Sequence, residues 1–183
     1  SLAINKLPKD KLVVLDNKDH NIEGDFIEVF QDFENDIITG LETANEKIAK
    51  YNKLTLVYPK TSFYPYPKKI LNGFIKYCAQ NNFDFEILEE VTSETKLEEK
   101  KVFITIEEND LVNIVNKIRS SKLSFGKDVG VISYNDTPLK QLLGITVLSA
   151  DFDAMGQKAA KMILGNRKEK IKAPFRLIER ESL

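Results

Sequence analysis

Cysteine, histidine and tryptophan are almost missing from this 183-residue chain, which has one Cys, one His and no Trp. The lone Cys78 excludes an internal disulfide and fits a reducing compartment, so we expect a cytoplasmic protein. Cys78 also lies on an apolar helical stripe, which favours a place in the core. His20 lies in a polar turn with no second His or Cys near it in the sequence, which argues against a metal site.

Neither sign of charge predominates, and no apolar run is long. Lys and Arg number 27 and Asp and Glu number 28, which gives a net charge of -1. A module that grips nucleic acid by its phosphates carries excess positive charge, so any contact with DNA belongs to another part of the protein. The apolar runs are too short to span a bilayer, so we expect no membrane partner.

The sequence also lacks the short motifs of common enzymes. It contains no G-x-G-x-x-G loop, no P-loop and no nucleophile elbow, and a single His offers little acid and base chemistry. We therefore expect a protein that is not an enzyme and that holds neither a cofactor nor a metal.

Short apolar or alternating runs predict strands, and apolar residues at helical spacing predict helices. The predicted strands cover residues 12–15, 26–31, 54–58, 83–88, 102–106, 129–132, 145–148 and 174–179. The predicted helices cover residues 33 to about 50, 70–81, 111–118, a short piece from 138 towards 144, and 152–164 behind a cap at Asp151. Residues 89–100 are highly charged and predict an exposed connection. This alternation predicts an α/β fold with a parallel sheet flanked by helices on both faces.

The segment DVGVISYNDTPL, residues 128–139, is the clearest single feature. An apolar strand enters a polar corner, and Thr137-Pro138 then open a helix. We call residues 133–137 the elbow. Ligands of open α/β sheets bind at the carboxyl ends of strands, so the elbow is the first candidate site.

Four segments together resemble the ligand-binding core of the LacI/GalR regulators. They are the elbow segment, ITVLSADFDAMGQKAAKMIL after it, ILNGFIKYC before it, and the closing PFRLIERESL. The resemblance implies a two-lobed, periplasmic-binding-protein-like fold in which three crossovers join the lobes. It implies a partial first lobe in residues 1–52, a second lobe in 53–148, and a crossover, helix and closing strand in 149–183.

The register of the resemblance has a further implication for the first lobe. LVVLDN is similar to the fourth strand of that lobe and EVFQDF to the fifth, so the first lobe is expected to be incomplete, with its first three strand-helix units upstream. A DNA-binding head would lie further upstream, and a GntR-type winged helix is the type we favour.

The resemblance also suggests ligand-binding residues, each with a structural alternative. Asn135 could bond to a hydroxylated ligand or to its own backbone in the turn. Asp136 matches the second Asp of the family elbow, but it or Thr137 could simply cap the helix. Glu107 and Glu108 follow a strand where the family places a ligand-binding Asn, or they only favour the start of a helix.

The loop before the second-lobe helix contains aromatic candidates. Phe63, Tyr64 and Tyr66 could stack on a sugar or a base, or they could anchor a proline-rich loop. The family's frequent ligand-binding Arg falls here on Ile70, so Lys68 or Lys69 would have to reach that space. Asp32 ends a first-lobe strand and could contact a ligand or cap a helix.

The last candidate residues concern motion and assembly. Leu148, Ser149 and Ala150 resemble a crossover between the lobes and are predicted to act as a hinge. Leu142 and Leu143 resemble a region of dimer contact, or they only cover the second lobe.

The resemblance thus implies a function. We expect an effector-binding and dimerisation domain of a bacterial transcriptional regulator, in which a small molecule, a sugar or sugar derivative, binds between the lobes and controls a separate DNA-binding head. The alternatives are a solute-binding protein for sugar uptake and an enzyme on a doubly wound sheet.

Overall fold

A computed structural model describes residues 4–16, 22–59 and 65–183. The strands are β1 (Val13–Asp16), β2 (Ile27–Phe30), β3 (Lys53–Val57), β4 (Asp84–Leu88), β5 (Lys101–Thr105), β6 (Val129–Tyr134), β7 (Thr146–Ala150), β8 (Lys170–Lys172) and β9 (Phe175–Ile178). The helices are α1 (Phe33–Thr43), α2 (Asn45–Ile48), α3 (Lys68–Asn81), α4 (Glu108–Arg119), α5 (Pro138–Leu142) and α6 (Phe152–Leu164). The predicted α/β fold with parallel strands and flanking helices is confirmed.

The chain divides into two compact units. Unit 1 comprises Ser1–Asp32 and Ala150–Arg176, and unit 2 comprises Phe33–Ser149 and Leu177–Leu183. Unit 1 contains a three-stranded sheet in the order β1-β2-β8, in which β2 is parallel to both neighbours. Its core forms where Met155, Ala159 and Met162 of α6 pack with Ile27 and Val29 of β2.

Unit 2 contains a six-stranded sheet in the order β4-β3-β5-β6-β7-β9. The strand pairs from β4 to β7 are parallel, so their carboxyl ends lie at one edge. Strands β5 and β6 are buried along their whole length, as expected of a parallel sheet covered on both faces. The amphipathic helix α4 packs its apolar stripe, including Leu111 and Ile114, against Phe103 and Val131.

Helices α1 and α3 of unit 2 pack closely at Gly73. A Cβ atom at Gly73 would lie 2.5 Å from the Glu34 carbonyl oxygen and 2.5 Å from the Ile37 Cγ2 atom. The glycine therefore permits the approach of the two helices. The predicted end of α3 at Asn81-Asn82 is also observed, because Asn82 takes the left-handed conformation with φ 55 that stops a helix.

Several predicted boundaries are wrong. Strand β6 continues through Ser133 and Tyr134 instead of ending in a polar corner, because Ser133 pairs with Thr105 of β5 and Tyr134 with Leu148 of β7, and both residues are buried. The helix predicted up to about Lys50 is interrupted at Ala44, where ψ is 0. Strand β8 was not predicted, since a Lys-Ile-Lys segment offers only one apolar residue to a pattern search.

The connection at residues 89–100 is not merely exposed, as the sequence predicted. Val91 is 4% exposed and belongs to the unit 2 core, and Leu97 packs against the same cluster. The carboxylate of Asp110 accepts a hydrogen bond of 2.7 Å from the Val91 backbone N–H. Burial raises the pKa of Asp110 above its ordinary value, and this hydrogen bond opposes the rise. The many charged residues of the connection therefore hid two apolar anchors, Val91 and Leu97, from the sequence prediction.

Candidate functional site

The elbow begins with the last two residues of β6, Ser133 and Tyr134, and continues beyond the sheet of unit 2. Asn135 follows Tyr134 with φ 60, a left-handed conformation that Asn tolerates better than most residues. Its backbone N–H donates to the Leu148 carbonyl oxygen of β7 at 2.8 Å. The side chain is exposed, and within the described residues its amide makes no hydrogen bond. The Asn135 amide is therefore available at the carboxyl edge of the sheet.

The neighbouring Asp136 has a different environment. Its Oδ2 accepts hydrogen bonds from Arg180 Nη2 at 2.9 Å and Gln141 Nε2 at 3.1 Å. Its backbone N–H donates to Ser149 Oγ at 3.1 Å. Burial alone would raise the pKa of Asp136, but the bonds from Arg180 and Gln141 and the charge of Arg180 hold it below its ordinary value. Asp136 is thus an ionised group that connects the elbow to the closing segment.

Helix α5 starts at the elbow and brings a buried lysine beneath it. Thr137 is the N-cap, since its Oγ1 accepts from the Lys140 backbone N–H at 3.4 Å. Lys140 is only 2% exposed, and its Nζ donates to the carbonyl oxygens of Tyr134 at 2.5 Å and Asn135 at 3.0 Å. Burial lowers the pKa of Lys140, and the charges of Glu108 and Asp136 oppose this.

The loops after β3 and β5 supply the next side chains. Glu107 occupies the N-cap position of α4 without capping it through its side chain. The phenol of Tyr66 is hydrogen-bonded to Glu107, and burial, followed by the charge of Glu107, raises the pKa of that phenol. The Tyr58 hydroxyl donates to the Tyr66 carbonyl oxygen at 2.7 Å, which holds the Tyr66 backbone near the end of β3. Across the strand ends, Thr137 Oγ1 lies 3.5 Å from Glu108 Oε1.

These side chains line a cavity of about 350 Å³ within unit 2. Its lining consists of Tyr66, Ile106, Glu107, Glu108, Asn109, Tyr134, Asn135, Thr137 and Lys140. The structure therefore brings Asn135, Glu107 and Tyr66 together, as predicted candidates for one site. Asp136 does not line this cavity. Lys140 was not predicted, because a single lysine in a short helix gives no periodic pattern that marks it as buried.

A larger cavity of about 490 Å³ adjoins the first, since both are lined by Glu107 and Asn109. The larger cavity extends along the start of α4 towards Val91 and Asn113. Its lining is dominated by carboxylates and amides.

The remaining aromatic candidates are not described, and the basic ones lie away from the cavity. Phe63 and Tyr64 lie outside the described residues, as does His20. Ile70, at the position of the family's frequent Arg, is 3% exposed and belongs to the core. Lys68 and Lys69 are exposed at the start of α3 and do not line the described cavity.

The other predicted residues have well-defined places. Asp32 directly precedes α1 and belongs to unit 1, so its part in the site stays a prediction. Leu148, Ser149 and Ala150 are the last residues of β7, and the boundary between the units falls between Ser149 and Ala150. Hinge motion there stays a prediction.

The pair predicted for dimer contact differs in exposure. Leu142 is 83% exposed on α5, whereas Leu143 packs against the unit 2 core. Of the two, only Leu142 offers an apolar surface to another molecule, and its role stays a prediction.

Two negative findings concern the described part of the chain. Its helices include none long and apolar enough to cross a membrane. In residues 4–16, 22–59 and 65–183, no group of three or more His, Cys, Asp or Glu side chains is arranged to hold a metal ion.

The structure is thus an α/β module with a polar cavity at the carboxyl edge of a parallel sheet, the place where open α/β sheets commonly bind ligands. A family model described as a periplasmic binding protein-like domain matches residues 48–183, well over half of the chain. The chain belongs to this family. No protein of curated function has significant sequence similarity to it.

Solved structures with the same fold include LacI-family regulators. A periplasmic binding protein/LacI transcriptional regulator from Alkaliphilus metalliredigens, complexed with D-xylulofuranose, is 16% identical with a TM-score of 0.63, and the match covers 93% of this chain and 69% of that one. The Lac repressor bound to ONPG is 18% identical with a TM-score of 0.65, covering 93% and 56%. A sugar-binding transcriptional regulator of the LacI family from Enterococcus faecalis is 17% identical with a TM-score of 0.66, covering 93% and 69%. The chain thus spans 56 to 69% of these chains, and likeness at this identity shows the fold alone.

Proposed function

We propose that this chain is the effector-binding domain of a bacterial transcriptional regulator and that its effector is a sugar or sugar derivative. The observation that carries the proposal is the cavity at the carboxyl edge of unit 2, where Tyr66, Glu107 and Asn135 meet. Its volume of about 350 Å³ suits a small molecule. The fold is shared with regulators that bind sugars.

The chemistry of the lining favours a hydroxylated ligand. Carboxylates such as Glu107 and Glu108 accept hydrogen bonds from hydroxyl groups, and the Asn135 amide both donates and accepts. Tyr66 adds an aromatic surface of the kind that packs against a sugar ring. The proposal includes no catalytic step, and ligand binding alone explains why these side chains line the cavity.

Regulation would act through a separate DNA-binding part of the protein. The chain has a net charge of -1, which does not favour contact with phosphates. A bound effector would change the affinity of that part for DNA by a coupling of about 1–3 kcal/mol.

We also propose that the protein is cytoplasmic and forms a homodimer that uses the exposed Leu142 on α5. Leu142→Glu would then shift the sedimentation coefficient from dimer to monomer, while exchange of the packed Leu143 would reduce stability instead.

A thermal-shift screen of the full-length protein tests the proposal. Pentoses, hexoses, their phosphates and purines are added in turn, and a ligand that binds only the folded state must raise the unfolding midpoint. We expect at least one carbohydrate to do so. If only another class of metabolite raises the midpoint, the sugar assignment is wrong.

The hit is then tested with one pair of variants. Asn135→Ala should weaken binding by about tenfold or more, because it removes a hydrogen-bonding group that lines the cavity. Asn52→Ala, at an exposed position after α2, is the matched control and should bind as the parent does. Equal affinities of all three proteins would remove Asn135 from the site.

A further inference from the structure

Lys140 is a buried charge with an incomplete set of partners in the described chain. It is 2% exposed and its ammonium donates to two backbone carbonyl oxygens, those of Tyr134 and Asn135. In residues 4–16, 22–59 and 65–183, no carboxylate oxygen lies within 4.0 Å of the Lys140 Nζ atom, the limit for an ion pair. A lysine ammonium carries three N–H donors, so one donor has no acceptor there.

A buried ammonium of this kind is costly unless its donors are satisfied. Buried lysines are rare in proteins and are usually paired, because leaving a charged donor unsatisfied costs more than leaving a neutral one. Lys140 also lines the cavity that contains Glu107, Glu108 and Asn135. Its location links the unused donor to the space in which the effector is proposed to bind.

We propose that Lys140 determines specificity by donating its third N–H to one hydroxyl oxygen of the carbohydrate. This inference rests on the proposed function and deepens it. The hydrogen of that hydroxyl is donated in turn to a carboxylate of the same cavity, Glu107 or Glu108. A hydroxyl group can serve both partners at once, because it has one donor and two acceptor lone pairs. Both bonds are charge-assisted and hence stronger than neutral ones.

The consequence is selection for one hydroxyl group. A site built to bond a hydroxyl rejects the deoxy analogue strongly, since the buried groups of the site then lack their partner. A neutral sugar that presents this hydroxyl should therefore bind much better than the same sugar without it. Removal of the lysine should abolish that preference.

The test combines substitutions in the protein with substitutions in the ligand. The probes are D-glucose, D-galactose and D-xylose with their monodeoxy derivatives, measured by isothermal titration calorimetry on the full-length protein. Lys140→Met keeps the length of the side chain but removes its donors, and Lys122→Met, at an exposed position after α4, is the control. We expect Lys140→Met to lower the affinity for the sugar that carries the hydroxyl by about 10- to 100-fold. One monodeoxy derivative should lose much less affinity on Lys140→Met than that sugar does.

The outcomes separate the two proposals. If Lys140→Met weakens every derivative by the same factor, the lysine only supports the elbow and this inference is overturned. If no carbohydrate binds the parent protein, the proposed function fails and the inference fails with it.

A second measurement does not depend on the variant folding. In ¹⁵N-lysine-labelled parent protein, a buried and hydrogen-bonded ammonium exchanges slowly with water and gives its own resonance. Addition of the sugar should shift this resonance, and addition of the critical monodeoxy derivative should not. If neither ligand shifts this resonance, the proposed role of Lys140 in specificity is wrong.

Discussion

Arg180→Met removes the guanidinium that ties the closing segment of unit 2 to the elbow. Arg180 Nη2 bonds to Asp136 at 2.9 Å, and Nη1 donates to the Ile145 carbonyl oxygen at 2.7 Å. The two side chains of the ion pair are only 16% and 20% exposed, so solvent screens the pair less than it would at the surface. The bond to a carboxylate contributes about 1.5–3 kcal/mol and the bond to a carbonyl about 1 kcal/mol. We expect Arg180→Met to lower the free energy of unfolding by about 2.5–4 kcal/mol.

A double-mutant cycle with Asp136→Asn isolates the ion pair. The bond to Ile145 is lost in both Arg180 substitutions and cancels. Because the side chain in Asp136→Asn still offers a neutral acceptor, the coupling energy should be about 1–2 kcal/mol, less than the whole bond to the carboxylate. The pKa of Asp136 is depressed in the folded state. Its stabilisation is therefore present above the ordinary value of 3.8 and is lost as the pH falls through the lower, folded-state pKa. The coupling should accordingly shrink between about pH 7 and about pH 3.

Urea denaturation followed by circular dichroism measures all four proteins of the cycle at both pH values. The control is Arg176→Met, because Arg176 is 65% exposed and lies 3.9 Å from Asp151 in a weak surface pair. This control should change stability by less than about 1 kcal/mol. A coupling below about 0.5 kcal/mol at neutral pH, or a coupling that does not fall in acid, would refute the argument that Arg180 stabilises an ionised Asp136.

Two further predictions concern packing in the core. Gly73→Ala should destabilise the protein by about 1–3 kcal/mol in urea denaturation, because the new methyl group would meet the Glu34 carbonyl and Ile37 at 2.5 Å. Gly156→Ala is the control: a Cβ there has nothing within 4 Å, so the change should stabilise α6 by up to about 1 kcal/mol. A loss of stability at both positions would refute the steric explanation. Burial raises the pKa of the Cys78 thiol to about 12. The native protein should therefore react with iodoacetamide far more slowly than the unfolded chain at mildly alkaline pH. Equal rates would show that Cys78 is accessible.

The alternation of strands and helices was predictable because burial on both faces leaves an uninterrupted apolar run. Strands β5 and β6 contain such runs at residues 102–104 and 129–132, and α4 shows the apolar period of a helix that covers a sheet. The ends of β6 were less predictable, because Ser133 and Tyr134 are polar in character although the fold buries them. Pairing across the sheet, which local pattern does not contain, decides where such a strand stops.

The candidate site was only partly predictable for a related reason. Asn135, Glu107 and Tyr66 could be proposed because each follows a strand whose carboxyl end faces the same edge. The partners Arg180 and Lys140 could not, because their roles depend on contacts with residues distant in sequence or on burial imposed by the fold. Arg180 meets Asp136 across 44 positions of sequence.

Adjacent residues at the elbow have separate roles because of one backbone conformation. With φ 60 at Asn135, the chain bends just beyond the sheet, and the Asn135 side chain lines the cavity while Asp136 bonds to Arg180. Lys140 bonds to the carbonyl oxygens of Tyr134 and Asn135 at that bend and so favours it over a continued strand. A change at Arg180 should therefore act first on stability, whereas a change at Asn135 should act first on affinity. Observation of the opposite pattern would mean that the carboxylate, and not the amide, is the group that meets the ligand.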